Sequence, residues 1–208
     1  MRKKLVVLMV VLVLAFTVFA ADTLIYEANF DKTDSKKVSW EPVIGEWEIV
    51  KGAMANYDMS NWNTNIYQDV DQVGEGVFIY EYKVTYDDEG GGNAPAAGLH
   101  FMATDGAADN RGDSYLVFQD NIELQLYKCV GGGIMAVQQI PGFGAVVGKT
   151  YVVRVEYTTK TGNVKIFLNN ELIIDWKDVS PLVDGSAISF RTNTTAASYD
   201  YVKIWYRK

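Results

Sequence analysis

The sequence contains one cysteine, Cys129, and one histidine, His100. A single cysteine excludes an intramolecular disulfide, so the fold has to be held by its hydrophobic core. Cys129 is predicted to be a buried structural thiol. One histidine and one cysteine do not make the usual zinc ligand set. Nucleophilic catalysis is also unsupported, because His100 is the only possible imidazole base and no serine or cysteine lies in a recognisable nucleophile elbow.

Sustained helical spacing of apolar residues is absent after residue 20, and alternation with a period of two recurs instead. In GVFIYEYKVTYD the apolar or aromatic positions are Phe78, Tyr80, Tyr82, Val84 and Tyr86. The positions between them are polar: Glu81, Lys83, Thr85 and Asp87. KTYVVRVEYTT repeats this pattern. Strands with one buried and one wet face are typical of antiparallel sheets packed on a single core.

Short turns and glycine-rich stretches separate the apolar runs. Asn169-Asn170 predicts a β-hairpin, because asparagine tolerates the positive φ that tight turns require. Lys51-Gly52 is predicted to be a similar turn, whereas residues 89–93 and 131–133 are predicted to be longer, flexible loops. Numerous strands without helices predict an all-β, two-sheet sandwich. The absence of a repeat or a linker predicts one domain over residues 21–208.

The first twenty residues, MRKKLVVLMVVLVLAFTVFA, have the pattern of a secretory signal peptide, with cleavage expected after Ala20. The alternative is a retained anchor, but the apolar run from Leu5 to Ala20 is about 16 residues, short of the roughly 20 that a spanning helix needs. The protein is therefore expected to be secreted, in the periplasm or outside the cell, without membrane insertion after cleavage. The segment carries three basic and no acidic residues, so cleavage changes the formal net charge from −7 to −10. Such an acidic protein is expected to repel nucleic acid and anionic lipid.

The order of several segments resembles a known superfamily. LIYEANFDKTD, GEWEIVKGAM, AGLHFMATD and RGDSYLVFQDNIELQLYK follow one another, and SAISFRTNTTAASYDYVKIW closes the chain. They resemble the concanavalin A-like jelly rolls, which include laminin G-like domains, levanase-type carbohydrate-binding modules and 3-keto-disaccharide hydrolase-like domains. The resemblance implies two antiparallel sheets, with the last strand beside the first and ligands held on the concave face or at edge loops. Many relatives bind carbohydrate, and some bind calcium near the meeting of the chain ends.

The first candidate site is the stretch AGLHFMATDGAADNRGDSYLVF, in which a polar connection joins two apolar runs. An arginine with acidic neighbours is a common way to fix sugar hydroxyls by hydrogen bonds. This reasoning predicts ligand contacts from His100, Asp105, Arg111 and Asp113. The alternative is that the charged residues only solvate a turn, where ion pairs contribute little.

The second candidate is NYDMSNWNTNIYQD, which mixes aromatic residues with amides. Aromatic faces stack on the apolar C–H side of a sugar ring, and amides satisfy its hydroxyls. Tyr57, Trp62 and Asn63 are predicted to contact a glycan, and Trp62 is predicted to be exposed. Trp47 and Trp205 are predicted to be core residues. Trp40 and Trp176 are left undecided.

Calcium is a further expectation near the chain ends. Glu27, Asp31 and Asp200 supply hard oxygen ligands if the first and last strands are neighbours. The alternative is an ordinary acidic surface, since the sequence contains no standard calcium loop.

These observations predict a secreted, non-catalytic, lectin-like protein whose partner is a glycan or polysaccharide. One alternative is an enzyme of the 3-keto-disaccharide hydrolase type, which needs a pocket and a positioned acid or base such as His100. The run of alternating carboxylates that jelly-roll glucanases use is missing, so retaining hydrolysis of that type is not expected. The other alternative is a structural or envelope-associated module.

Overall fold

A computed structural model describes residues 21–31, 39–88 and 95–208 as two antiparallel sheets. The predicted signal peptide and the whole glycine-rich stretch 89–93 lie outside the described residues. With strands numbered in chain order, the eight-stranded sheet contains β1 (Thr23–Asn29), β3 (Trp47–Val50), β4 (Ala53–Asn56), β6 (Val77–Asp88), β11 (Thr150–Thr158), β12 (Asn163–Leu168), β13 (Glu171–Lys177) and β15 (Ala196–Arg207). The seven-stranded sheet contains β2 (Glu41–Ile44), β5 (Asn65–Val73), β7 (Ala97–Ala103), β8 (Ser114–Gln119), β9 (Glu123–Val130), β10 (Gly133–Pro141) and β14 (Asp184–Thr192).

The strand order confirms the predicted two-sheet sandwich. The eight-stranded sheet runs β13-β12-β11-β6-β15-β4-β3, with β1 paired to β15. The seven-stranded sheet runs β10-β9-β8-β7-β14-β5-β2. The first and last strands are therefore neighbours, as the resemblance implied. In the described ranges the only helix is a single 3₁₀ turn, Asp109–Arg111. These ranges contain no helix long and apolar enough to cross a bilayer.

The core lies between the two sheets and is rich in aromatic side chains. The alternate positions of β6 point inward as predicted and are buried: Phe78, Tyr80, Tyr82, Val84 and Tyr86. At the centre Phe190 stacks on Tyr199, with ring centroids 3.8 Å apart, and Trp40 stacks on Phe190 at 4.7 Å. Trp40, undecided from the sequence, is thus a core residue. Stacked pairs of this kind contribute beyond the area that they bury.

Two of the tryptophan predictions have different outcomes. Trp47 is partly buried against the core and donates from Nε1 to the Ile44 carbonyl at 3.0 Å. Trp205 was predicted to be a core residue, and that prediction is wrong. Ile204 beside it is the core residue, so alternation puts Trp205, half-buried, on the outer face of the eight-stranded sheet. Trp176 is partly buried against the core.

The hairpin turns follow the predicted chemistry with one correction. Asn169 and Asn170 have φ values of 50° and 70° in the turn between β12 and β13, as predicted. The stretch 131–133 was predicted to be a long, flexible loop, but Gly131 and Gly132 form a two-residue turn between β9 and β10. Their φ values of 58° and 80° explain the glycines, because a tight hairpin needs positive φ at both central residues.

Candidate functional site

The first candidate stretch lies across the outer face of the seven-stranded sheet. The connection between β7 and β8, residues 104–113, contacts the β9–β10 turn at one end, where Asn110 Nδ2 donates to the Gly132 carbonyl at 3.0 Å. At the other end, Asn65 Nδ2 on β5 donates to the Gly106 carbonyl at 2.8 Å. The connection therefore covers several strands rather than standing free as a hairpin loop.

Arg111 holds this connection in place from beneath. Its side chain is 0% exposed, and Nε donates to Ser189 Oγ on β14 at 2.9 Å. Its two terminal nitrogens donate to Asn63 Oδ1, at 2.7 Å, and to the Thr64 carbonyl. Burial, and then the charge of Arg191, lower the pKa of Arg111 to about 9. The predicted direct ligand contact is corrected, because a side chain with no exposed surface is a structural clamp.

His100 is also fully buried, which corrects its predicted ligand contact. Its Nδ1 lies 3.0 Å from Ser114 Oγ, and that hydroxyl donates to the Asn110 carbonyl at 2.8 Å. Because a carbonyl only accepts, the serine proton is used there and His100 Nδ1 must be the donor. Nε2 is then an acceptor, and it has no partner among the described residues. Burial, followed by the charges of Arg111 and Arg191, holds the pKa of His100 well below its usual range, so the ring is neutral.

The two aspartates of the stretch stabilise backbone turns. Asp105 Oδ1 accepts from the backbone N–H groups of Ala107 and Ala108, at 3.0 and 3.2 Å. Asp113 Oδ1 accepts from Gly131 N at 2.8 Å, which ties the connection to the β9–β10 turn. Neither carboxylate forms an ion pair with Arg111 in the described structure. These contacts match the alternative of a charged turn.

The second candidate stretch, residues 56–69, meets the first one through Asn63. Its Oδ1 accepts from Arg111, and its Nδ2 donates to Asp109 Oδ1 at 2.8 Å. Trp62 is 68% exposed and Tyr57 is 42% exposed, so the predicted exposure of Trp62 is confirmed. The structure thus brings the two stretches together, with Asn63 engaged in protein contacts and the two aromatic residues accessible.

A patch on the same outer face was missed from the sequence. Leu116, Phe118 and Ala96 form a small buried apolar cluster, separate from the main core, and the partly buried Tyr127 packs against it. The guanidinium of Arg191 lies 5.7 Å from the centroid of the Phe118 ring. We call these five residues the Arg191 patch. The run SYLVFQ in β8 carried a signal, because it is apolar on both faces, and a strand with one wet face would alternate.

Trp62 borders the Arg191 patch through its backbone. Arg191 donates from NH2 to the Trp62 carbonyl at 3.3 Å, at the surface, and from NH1 to Asn110 Oδ1 at 3.4 Å. Register supports this placement, since Arg191 pairs with Gly98 and Gly98 pairs with Phe118 across three neighbouring strands. Burial lowers the pKa of Arg191, and nearby anionic groups such as Asp109 raise it less. The exposed residue Trp62 and the Arg191 guanidinium are therefore neighbours on this face, above the buried Phe118 ring.

Two of the three carboxylates predicted to bind calcium are paired with lysines. Glu27 Oε1 lies 3.0 Å from Lys203 Nζ, and Asp200 Oδ2 lies 2.5 Å from Lys83 Nζ. Within the described ranges, no group of three or more histidine, cysteine, aspartate or glutamate side chains is arranged to hold a metal ion. Calcium binding at Glu27, Asp31 and Asp200 stays a prediction. A rise in melting temperature with calcium, reversed by chelator, is the result that would support it.

Comparisons with known proteins identify the fold. No protein-family model and no curated protein matches the sequence. Among solved structures, the chain is similar to the carbohydrate-binding module CBM66 from Bacillus subtilis, with 21% identity, a TM-score of 0.63, and 78% of this chain and 92% of that chain covered. It is also similar to a Bacillus subtilis protein of unknown function with a galectin-like fold, with 14% identity, a TM-score of 0.62, and 91% of this chain and 100% of that chain covered. A third similar structure is the potassium-bound carbohydrate recognition domain of Emp46p, with 9% identity, a TM-score of 0.61, and 87% of this chain and 95% of that chain covered. The chain therefore has a two-sheet jelly-roll fold.

Proposed function

We propose that this protein is a secreted, non-catalytic carbohydrate-binding protein whose site is the Arg191 patch together with Trp62. The observation that carries the proposal is that Trp62, which is 68% exposed, is held through its backbone carbonyl by the guanidinium of Arg191, at the surface. A flat aromatic surface accepts the C–H side of a pyranose ring, and a guanidinium donates to its oxygens. Tyr57, exposed in the same loop as Trp62, extends this surface.

Two of the similar structures belong to carbohydrate-binding proteins, which supports the same class of ligand. One is a carbohydrate-binding module and another is a carbohydrate recognition domain. Fold and function separate easily in jelly rolls, so this support is by analogy and the residues of the patch carry the argument.

The enzyme alternative lacks its main candidate. His100, the acid or base that it needs, is 0% exposed and held neutral by burial. A general acid or base must come within hydrogen-bonding distance of the group that reacts. The structural or envelope module is the alternative that the binding experiment addresses.

The decisive experiment is a glycan array probed with residues 21–208, followed by titration calorimetry with the best ligand. We expect Trp62→Ala to weaken binding about tenfold or more, as truncation of an aromatic anchor does. Trp205→Ala is the matched control, because Trp205 lies on the outer face of the opposite sheet. Absence of binding to every glycan on the array, or equal affinity of wild type and Trp62→Ala for the best ligand, would contradict the proposal.

Secretion is tested separately on the full-length chain. The exported protein should begin at Ala21 when its N-terminus is sequenced. A protein that keeps residues 1–20 would instead support the anchor alternative.

A further inference from the structure

We infer that the saccharide bound at the Arg191 patch carries an anionic group, a carboxylate or a sulfate, which pairs with the Arg191 guanidinium. This inference rests on the proposed function and adds the chemical class of the ligand. A uronate-containing and a sulfated glycan offer the same recognition chemistry at this position. The carboxylate of a uronate is planar and a sulfate is tetrahedral, and each accepts two parallel hydrogen bonds from one guanidinium.

The first step is that the charge of Arg191 is uncompensated. A guanidinium has five N–H donors, and among the described residues those of Arg191 meet two acceptors, a neutral amide oxygen at 3.4 Å and a neutral carbonyl oxygen at 3.3 Å. Its Nε is buried and has no hydrogen-bond partner among these residues. No carboxylate lies within ion-pair distance of Arg191 in the part of the chain that the structure describes. Largely buried cations are ordinarily paired.

The second step is that Arg111 adds an unpaired cation below the surface. All three of its acceptors are neutral: Ser189 Oγ, Asn63 Oδ1 and the Thr64 carbonyl. Each guanidinium therefore disfavours the charge of the other, and both lower the pKa of His100. Asp109 is the carboxylate whose charge raises the pKa of both arginines. Its Oδ1 already accepts hydrogen bonds from Asn63 Nδ2 and from Asn110 N. An arriving anion would relieve the repulsion between the two arginines.

The third step is the contrast with arginines on the other sheet. Arg154 NH2 lies 2.9 Å from Glu156, and Arg207 Nε lies 2.6 Å from Asp22. The chain has 26 acidic and 19 basic residues, so carboxylates are plentiful. Two neighbouring arginines without one are therefore a local feature of this face. Two unpaired guanidinium groups attract an anion at short range, even though the protein as a whole is acidic.

The position of the charge also fits a sugar acid. Arg191 NH2 is at the surface beside Trp62, and the guanidinium lies against the Phe118 ring. A pyranose stacked on an aromatic side chain presents its exocyclic group at the ring edge, within reach of a neighbouring guanidinium. A neutral hydroxymethyl group at the same place gives a weaker interaction, because its single uncharged oxygen cannot pair with the guanidinium through two parallel hydrogen bonds.

The experiment compares matched ligands on residues 21–208. A uronate-containing polysaccharide is measured against its carboxyl-reduced form, and a sulfated glycan against its desulfated form, by calorimetry at 0.15 M salt. We expect at least one anionic ligand to bind about tenfold or more tightly than its neutral counterpart. The advantage should shrink as salt rises and should disappear in Arg191→Gln, whereas Arg154→Gln should retain it. Arg191→Lys should retain part of it, because the charge stays while the two-pronged geometry is lost.

The possible failures are distinguishable. Equal binding of anionic and neutral partners would overturn the inference while leaving the carbohydrate-binding proposal standing. Absence of binding to every glycan would overturn both. The comparison of charged and neutral ligands on the wild-type protein needs no variant, so it decides the question even if Arg191→Gln is poorly folded. Melting temperature and circular dichroism of each variant provide the folding control.

Discussion

Arg111 Nε donates to Ser189 Oγ at 2.9 Å, which joins residues 78 positions apart in the sequence. The same guanidinium reaches Asn63 and Thr64, so one side chain fastens the β7–β8 connection to β14 and to the start of β5. Asn63 is the neighbour of Trp62. Arg111 therefore fixes the segment that carries the exposed Trp62, although Arg111 itself is not accessible to a ligand.

Arg111→Met should destabilise the fold, because methionine fills part of the volume but leaves three buried acceptors without donors. Hydrogen bonds to charged groups contribute about 1.5–3 kcal/mol each, and we expect the loss in unfolding free energy to reach that range. Urea denaturation measures it. Arg154→Met, which removes a partly exposed arginine paired with Glu156, should cost about 1 kcal/mol or less. Similar costs for the two variants would show that Arg111 is not a clamp.

His100 should make stability fall as the pH is lowered below about 6.5, the ordinary pKa of histidine. Burial and the two arginines lower the pKa in the folded state, so the unfolded chain takes up a proton that the folded chain does not. Unfolding free energy should decrease by up to about 1.4 kcal/mol per pH unit between the two pKa values. His100 is the only histidine, so urea denaturation of wild type and His100→Gln from pH 7 to 5 isolates this effect. An identical pH slope in the two proteins would refute it.

Gly98→Ala should be strongly destabilising, because a methyl group there would lie 2.0 Å from the Val117 carbonyl oxygen. The backbone on both sides is held, since Tyr199 Oη bonds both the N–H and the carbonyl of Gly98. Overpacking costs about 1–3 kcal/mol where side chains can adjust, and a fixed carbonyl puts this position at the upper end. Gly133→Ala is the control, because its methyl group would meet only the Val130 carbonyl at 3.4 Å. Thermal melting compares the two, and equal melting temperatures would contradict the close approach.

The fold was predictable because its information is local. Phe78 to Tyr86 alternate along β6, and Asn169-Asn170 forms the expected turn. The resemblance supplied the pairing of β1 with β15, which no local pattern contains. Trp205 was misassigned because it was judged by its size and apolar character, although it alternates with Lys203 and Arg207 and so lies on the face opposite Val202 and Ile204.

The candidate site was predictable only in part, because it depends on contacts between distant segments. Trp62 is flanked by polar residues, a local signal, and it is exposed. Arg111 is surrounded by polar residues as well, yet it is buried, because residues 104–113 lie across strands that are far away in sequence. Arg191 was overlooked for the same reason: its neighbours Phe118 and Trp62 come from two other parts of the chain.

Asp178 joins the two sheets at one edge, and it should make stability fall in acid. It follows β13 of one sheet, and its Oδ2 lies 2.7 Å from Lys128 Nζ on β9 of the other and accepts from Tyr115 Oη at 2.6 Å. Burial opposes ionisation, but the hydrogen bonds from Lys128, Tyr115 and Ser180 N outweigh it, so the pKa of Asp178 is lowered. A lowered folded pKa means that the stabilisation is fully present above the unfolded value of about 3.9 and is lost as the pH falls through the folded value.

Urea denaturation at pH 7 should therefore show a clear loss of unfolding free energy for Asp178→Asn, and the difference from wild type should shrink towards pH 2. Asp175→Asn, at an exposed pair 3.9 Å from Lys165, should show little change at either pH. A wild-type advantage that persists undiminished at pH 2 would mean that ionised Asp178 is not what joins the sheets.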